Sequence, residues 1–333
     1  MIISKAPLRL GLSGGGTDIA PFCFENGGKV LNITINQYAY TTIDESDNVS
    51  FESLDLNITE NLNDVNKLLL HKETYLYFIK NFNNNEHLDI KVKTLCEALP
   101  GSGLGSSSAI VVSMVKAFDK LLSIGLDNYQ ISEISYNIER NICGFDGGYQ
   151  DQYAAAFGGL NYLEFKKDGY VIVNQLKCKQ ETLDELESMM ILYFCGISRD
   201  SEKIIKSQKN ELSSRKTSLD AMKSLITESE KFKDSILKGD IEYLLEVFKN
   251  GWELKKKTSG LVSNKKIEDA FESAIDNGAL CGKVSGAGGG GFILFFCPLD
   301  KKTAVENKLN DTDGKVVKCK FVNKGAFAWE SNL

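Results

Sequence analysis

The stretch that most constrains this chain is Pro100-Gly101-Ser102-Gly103-Leu104-Gly105-Ser106-Ser107-Ser108-Ala109, which runs straight into an apolar segment from Ile110 to Leu122. Its glycines permit a tight turn and close backbone approach to a ligand, and its serines bring hydroxyls to the start of a helix. Free N–H groups and the positive end of a helix dipole converge there, which is how a phosphate is held without a base. The dipole supplies only about 0.3–1 kcal/mol at an exposed site, so cations must do the rest. Alone, the stretch supports two readings, an anion cradle or a glycine-rich turn that caps a buried helix. It lacks the lysine of a Walker A loop, and Gly101-x-Gly103-x-x-Ser106 lacks the last glycine of a dinucleotide fingerprint. The helix after it presents Val111, Met114, Val115, Phe118 and Leu122 on one face, a core stripe that anchors the loop.

At 333 residues two lobes are expected. A net charge of −6 with no polybasic cluster argues against a nucleic-acid surface, so phosphate-binding charge must be concentrated locally. The eight cysteines form no C-x-x-C pair and are read as reduced, buried thiols. No signal-like or membrane-length apolar run is present in the sequence, and the expected location is the cytoplasm.

Ile2 to Leu12 is read as a strand entering the turn Gly14-Gly15-Gly16-Thr17-Asp18. Asp18 either caps the next segment or, with the glycine backbone, touches a ligand's hydroxyls. Lys29 to Ile43 alternates as a strand, a helix is expected over Asn63 to Phe82, and Leu88 to Thr94 alternates again. Asp127 caps a further helix whose buried face is Ile131, Ile134, Ile138 and Ile142, with Glu139 beside that face. Asp151 opens a small-residue stretch before the strand Leu160 to Phe165, as an N-cap or as a partly buried carboxylate. After Val171 to Leu176, the acidic segment Glu181 to Glu187 is read as a surface connection between lobes, at 1–185 and 186–333. Met189 to Cys195 begins a second lobe that is mainly helical up to Gly278. There Gly286-x-Gly288-x-x-Gly291 fits a dinucleotide fingerprint on paper, but it opens the strand Phe292 to Cys297 where such a turn would open a helix.

Three glycine-rich segments in this order, Ala6 to Asp18, Pro100 to Ala109 and Lys283 to Gly291, resemble the GHMP superfamily of small-molecule kinases over nearly the whole chain. Ala6-Pro7-Leu8-Arg9-Leu10-Gly11-Leu12-Ser13-Gly14-Gly15-Gly16-Thr17-Asp18 and Gln150-Asp151-Gln152-Tyr153-Ala154-Ala155 are most similar to the D-glycero-D-manno-heptose 7-phosphate kinases, with the fucokinases as kin. Galactokinases typically carry Glu-His where this chain has Gly15-Gly16. The resemblance implies an α+β fold, a two-lobed GHMP kinase with an N-terminal α/β lobe containing a left-handed βαβ crossover and a C-terminal ferredoxin-like lobe with extra helices.

The same resemblance implies ATP-dependent phosphorylation of the anomeric hydroxyl of a heptose phosphate. The rivals are a fucokinase-like or other sugar-1-kinase, and a non-catalytic sugar-binding regulator. It gives the ATP phosphates to Gly101, Ser102, Gly103, Leu104, Gly105, Ser106, Ser107 and Ser108, and Mg2+ to Ser107 and Glu139. Asp151 would accept or orient the hydroxyl proton and Arg9 would balance charge. Gly14, Gly15, Gly16, Thr17 and Asp18 would bind the sugar, and Ser285, Gly286, Ala287, Gly288 and Gly289 would brace the phosphate loop. Arg199 and Lys203 are candidates for a phosphate carried by the substrate. The expected partner is a small sugar or sugar phosphate, with neither nucleic acid nor membrane, and a homodimer is admitted.

Overall fold

The computed structural model describes residues 1–98, 101–196 and 201–332. The chain begins with β1 (Ile2–Ser13), the short helix α1 (Phe22–Asn26), β2 (Gly28–Glu45), β3 (Ser50–Ser53), β4 (Ile58–Asn61), α2 (Leu69–Phe82), β5 (Ile90–Cys96) and α3 (Ser106–Leu121). Next come α4 (Asn128–Tyr136), which runs into a π-helical turn (Asn137–Ile142), then α5 (Gln150–Phe157), β6 (Leu160–Phe165), β7 (Val171–Gln175), α6 (Gln180–Met189) and β8 (Met190–Phe194). The remainder is α7 (Ser201–Ser214), α8 (Lys216–Lys238), α9 (Ile241–Lys256), α10 (Lys265–Asp276), β9 (Cys281–Val284), β10 (Phe292–Phe296), α11 (Leu299–Asn310), β11 (Lys315–Val317) and β12 (Phe327–Glu330). Among the described residues no helix is long and apolar enough to cross a membrane.

The large sheet runs β12-β1-β2-β5-β3-β4, with β6 and β7 added along the first part of β2. The 18 residues of β2 pair with β1 along one edge and along the other serve two partners in turn, β6 from Gly28 to Ile33 and β5 from Ala39 to Glu45. The small sheet has the order β11-β8-β10-β9 and is antiparallel throughout, the fourth-first-third-second arrangement of a ferredoxin-like unit. Beyond β11 the chain returns to the large sheet, where β12 pairs with β1. One core joins the two sheets: Leu8, Leu10, Val111, Met114 and Phe118 belong to the same buried cluster as Phe232, Phe248, Leu294 and Phe296.

Alternation along β1 puts Leu8, Leu10 and Leu12 on one face and Arg9 on the other, and all four are buried. The stripe on α3 is as expected, with Val111, Met114, Val115 and Phe118 fully buried and Phe118 stacked on Phe78 at 5.0 Å. Several boundaries differ from the sequence reading for local reasons. Helix α2 starts at Leu69 rather than Asn63 because the Glu60 carboxylate accepts the N–H groups of Asn66, Lys67 and Leu68 and holds them in a turn. β5 starts at Ile90 because the Tyr75 hydroxyl engages the backbone of Leu88 on both sides. The acidic segment expected as a connection is helix α6, with Thr182 and Leu186 buried one turn apart.

The C-terminal segment clasps α5. Ala326 N–H donates to Ala155 O at 2.9 Å, and Gly158, with φ +69°, ends α5 where a side chain would fall onto the backbone of Lys324 and Gly325. Gly158→Ala is expected to destabilise the protein by about 2 kcal/mol or more, through backbone strain and displacement of this strap. A urea unfolding midpoint equal to the parent's would show that the strap retreats freely.

Candidate functional site

Gly101, Gly103 and Gly105 all have positive φ, and Gly105 caps α3 in the left-handed conformation. No side chain caps this helix, so its first N–H groups are not spent on a serine hydroxyl. The serines point elsewhere. Ser107 Oγ donates to Glu139 Oε1 and Ser108 Oγ to Glu139 Oε2, each at 2.7 Å. Gly101, Gly103, Gly105, Ser106 and Ser107 line a cleft of about 370 Å³, whereas Ser102, Leu104 and Ser108 are buried behind the loop.

Glu139 is fully buried, and the reason is the π-helical turn. An extra residue per turn rotates the later side chains about the helix axis, leaving Ile142 exposed although regular helical periodicity puts it in the core. Gln152 Nε2 donates to Glu139 Oε2 at 2.6 Å, and Arg140 lies 3.3 Å from Oε1. This carboxylate is therefore fully paired beneath the start of α3.

Arg9 projects from the middle of β1 towards the cleft and is 3% exposed. Its Nε and Nη2 lie 2.7 and 2.6 Å from Asp151 Oδ1, and Nη1 donates to Gly103 O at 2.6 Å. Ser285 Oγ donates to the same carbonyl at 2.9 Å. Asp151, in the first turn of α5, is thereby tied to the loop and to the third glycine-rich turn. That turn also braces the loop from behind, since Phe292 N–H donates to Ser102 O at 2.8 Å. A side chain on Gly291 would fall onto that same carbonyl. Gly286 and Ala287 line the cleft, while Gly288 and Gly289 pack against Val262 and Ile204.

In the first turn, Asp18 is buried, and its carboxylate accepts from Gly16 N at 3.0 Å, Gln150 N at 3.1 Å and Gln150 Nε2 at 3.2 Å. Gly16 and Asp18 line the cleft. Gly14 and Thr17 face β2 instead, with the Thr17 hydroxyl joining Gly14 O to the backbone of Lys29. Lys255, at the end of α9, is 2% exposed and donates to Gly15 O at 2.7 Å. Sequence reasoning missed it because Lys255-Lys256-Lys257 reads as a solvated helix end. It also missed Arg140 and Gln150, for which adjacency to Glu139 and Asp151 was the available signal. Arg199 lies outside the described residues, and Lys203 is exposed and does not line the cleft.

At the far end, Leu56, Leu68, Leu70 and Ile110 make an apolar wall with His71, whose imidazole burial pushes down to about 4. At the mouth, burial acts to raise the Asp146 carboxyl, but Lys209 at 2.7 Å and Lys206 outweigh it and hold it below its usual range. All eight cysteines are free thiols, and among the described residues no three His, Cys, Asp or Glu side chains cluster as a metal site.

Comparison with known proteins extends the likeness over the whole chain. The family model of the GHMP kinases N terminal domain matches residues 69–159, and that of the GHMP kinases C terminal matches residues 232–314. D-glycero-alpha-D-manno-heptose 7-phosphate kinase of Campylobacter jejuni is 39% identical over 336 aligned positions, covering 98% of each chain. The structure of a D-glycero-D-manno-heptose 1-phosphate kinase from Bacteroides thetaiotaomicron is 37% identical, covers 100% of both chains and has a TM-score of 0.84. Phosphomevalonate kinase of Streptococcus pneumoniae, in complex with phosphomevalonate and AMPPNP, shares the fold at a TM-score of 0.80 and 17% identity, covering 97% of this chain and 100% of that one.

The charge balance of the site is measurable without any substrate. Lys283 is buried and donates to Gly11 O at 3.1 Å; desolvation, then the nearby Lys255 and Arg9, push its ammonium down from 10.5 to about 7. Between those values the unfolded chain holds a proton that the native protein does not, so stability falls as pH drops from about 10 to about 7 and levels off below. This lysine contributes a slope of about 1 kcal/mol per pH unit in that window, and Lys283→Met is expected to remove it. Denaturant unfolding of both proteins at pH 7 and pH 9 measures the slope; identical pH dependence would refute the shift.

Proposed function

The chain belongs to the GHMP kinases and is a phosphotransferase acting on a small-molecule hydroxyl, and from that premise we propose that it transfers the γ-phosphoryl group of ATP to the anomeric hydroxyl of D-glycero-D-manno-heptose 7-phosphate. The product is then the 1,7-bisphosphate, a precursor of nucleotide-activated heptose. The observation that carries the reading is the Arg9 guanidinium within 2.7 Å of both Asp151 and Gly103, in the cleft of a chain 39% identical to a heptose phosphate kinase.

In this reading the ATP phosphates lie along Gly101 to Ser107 under the free N–H groups of α3. The base lies against the apolar wall of Leu56, Leu68, Leu70 and Ile110. Ser107 and Glu139 would hold magnesium, Glu139 exchanging for the ion the hydrogen bond that it accepts from Ser107. A hydroxyl and one carboxylate beside a phosphate site suit an ion that takes few protein oxygens and keeps its waters. When bound, the ion would neutralise charge on the β- and γ-phosphate oxygens.

Asp151 stands at the first turn of α5, where its free oxygen orients the anomeric hydroxyl and receives its proton as the O–P bond forms. Arg9 stabilises the charge that shifts between the carboxylate and the transferring group. Asp18 and Gly16 meet the sugar hydroxyls, and the neighbouring Lys255 supplies the buried cation that a substrate phosphate requires.

The relatives' names differ on whether position 7 or position 1 of the heptose already carries phosphate. ADP release with ATP and magnesium, measured beside both heptose monophosphates, fucose, galactose and mannose, separates these cases. Turnover is expected on the 7-phosphate, with Asp151→Asn lowering it about 10²–10⁴-fold while ATP binding survives. Turnover confined to a free sugar or to the 1-phosphate would replace the substrate, and an Asp151→Asn variant with the parent's rate would remove the assigned base.

A further inference from the structure

Gln208, on α7, is fully buried and lines the cleft beside Ile205, Gly286 and Ala287. Its Nε2 faces Thr258 Oγ1 at 3.3 Å and Ala287 O at 3.4 Å. Both neighbours are acceptors here, because the Thr258 hydroxyl gives its proton to Lys255 O at 2.7 Å. The amide orientation is therefore set by its surroundings: the nitrogen must face the protein. Its Oε1 is left buried with no hydrogen-bond partner among the described residues.

A buried acceptor without a donor is costly unless a water or a ligand completes it, and Gln208 lines the cleft where a ligand would lie. The ligand must present a proton. Phosphate oxygens at neutral pH are acceptors and are excluded, whereas a sugar hydroxyl is suited. The position agrees, because Gln208 is linked through Thr258 to Lys255, whose ammonium bonds Gly15 O in the turn that carries Gly16 and Asp18.

We infer that Gln208 is a specificity-determining residue whose Oε1 accepts a hydrogen bond from one hydroxyl of the acceptor sugar, so that the sugar is read from α7 as well as from the first glycine-rich turn. The inference rests on the sugar-kinase reading and deepens it. It gives the second half of the chain a direct part in substrate choice. Recognition by an acceptor has a defined consequence, since an analogue lacking that hydroxyl leaves Oε1 dry and is rejected.

The test uses the full chain, ATP with magnesium, whichever sugar the parent phosphorylates, and the monodeoxy analogues of that sugar. Gln208→Met keeps the volume and removes the acceptor. It is expected to raise the sugar KM about tenfold, with the ATP KM within about twofold of the parent. The parent is expected to reject one monodeoxy analogue by about tenfold or more, and Gln208→Met to reject it by less than about threefold. Gln208→Leu, which also removes the acceptor and sets no charge against Thr258 Oγ1 and Ala287 O, should likewise lose the rejection, and it carries the test if the methionine variant does not fold.

An unchanged sugar KM in Gln208→Met would overturn the inference, as would a rise in the ATP KM alone, which would move the acceptor to a metal-bound water. Retention of the parent's rejection of that analogue by Gln208→Leu would also overturn it. An active parent with unaltered variants tells against Gln208 alone, and a parent inactive on every sugar tells against the proposed function and removes both.

Discussion

One guanidinium makes the cleft a single body. Arg9 is held in the middle of β1, between the core face of Leu8 and Leu10 and the cleft, and spends its fork on Asp151 Oδ1 and Gly103 O. Burial of a cation is costly unless its donors are paired, and here the partners come from segments far apart in sequence. The carboxylate belongs to α5, the carbonyl to the phosphate loop, and Ser285 adds the third glycine-rich turn to the same carbonyl. Lysine could not replace it: a single ammonium has neither the plane nor the reach to fix two groups at once. The relative placement of loop and carboxylate, on which phosphoryl transfer depends, is thus set by β1 and not by the loop's own rigidity.

The three turns were legible in the sequence because glycine is required wherever one backbone passes close to another, and each of these turns touches a second one. The strand-helix order and the stripe on α3 were legible from periodicity. Glu139 was not. Over six residues a π-helical turn and an α-helical turn carry the same apolar pattern, so nothing in Asn137–Ile142 announces that Glu139 turns inward and Ile142 outward. Its role was suggested by family resemblance, and its burial is a tertiary fact.

Lys255 and Gln208 were hidden for a related reason. Each lies in a polar helical run that reads as solvated, and only the approach of Gly15 O in one case and of Thr258 and Ala287 in the other distinguishes it from its neighbours. The return of β12 to β1 was also invisible, since Phe327–Glu330 carries no signal naming a partner more than 300 residues away. Local sequence specifies elements; which polar side chains they trap is decided by contacts that no window contains.

These trapped groups share an electrostatic logic. A chain with a net charge of −6 gathers Arg9, Lys255 and Lys283 beneath one cleft, and their mutual repulsion, added to burial, is what brings Lys283 down to about 7. Asp151 answers part of this charge through Arg9, and Asp18 satisfies its own oxygens with Gly16 and Gln150. The floor is therefore better balanced with an anion above it than without one. The pH dependence of the fold is thus tied to this gathering of cations through one lysine that touches neither the loop nor the carboxylate.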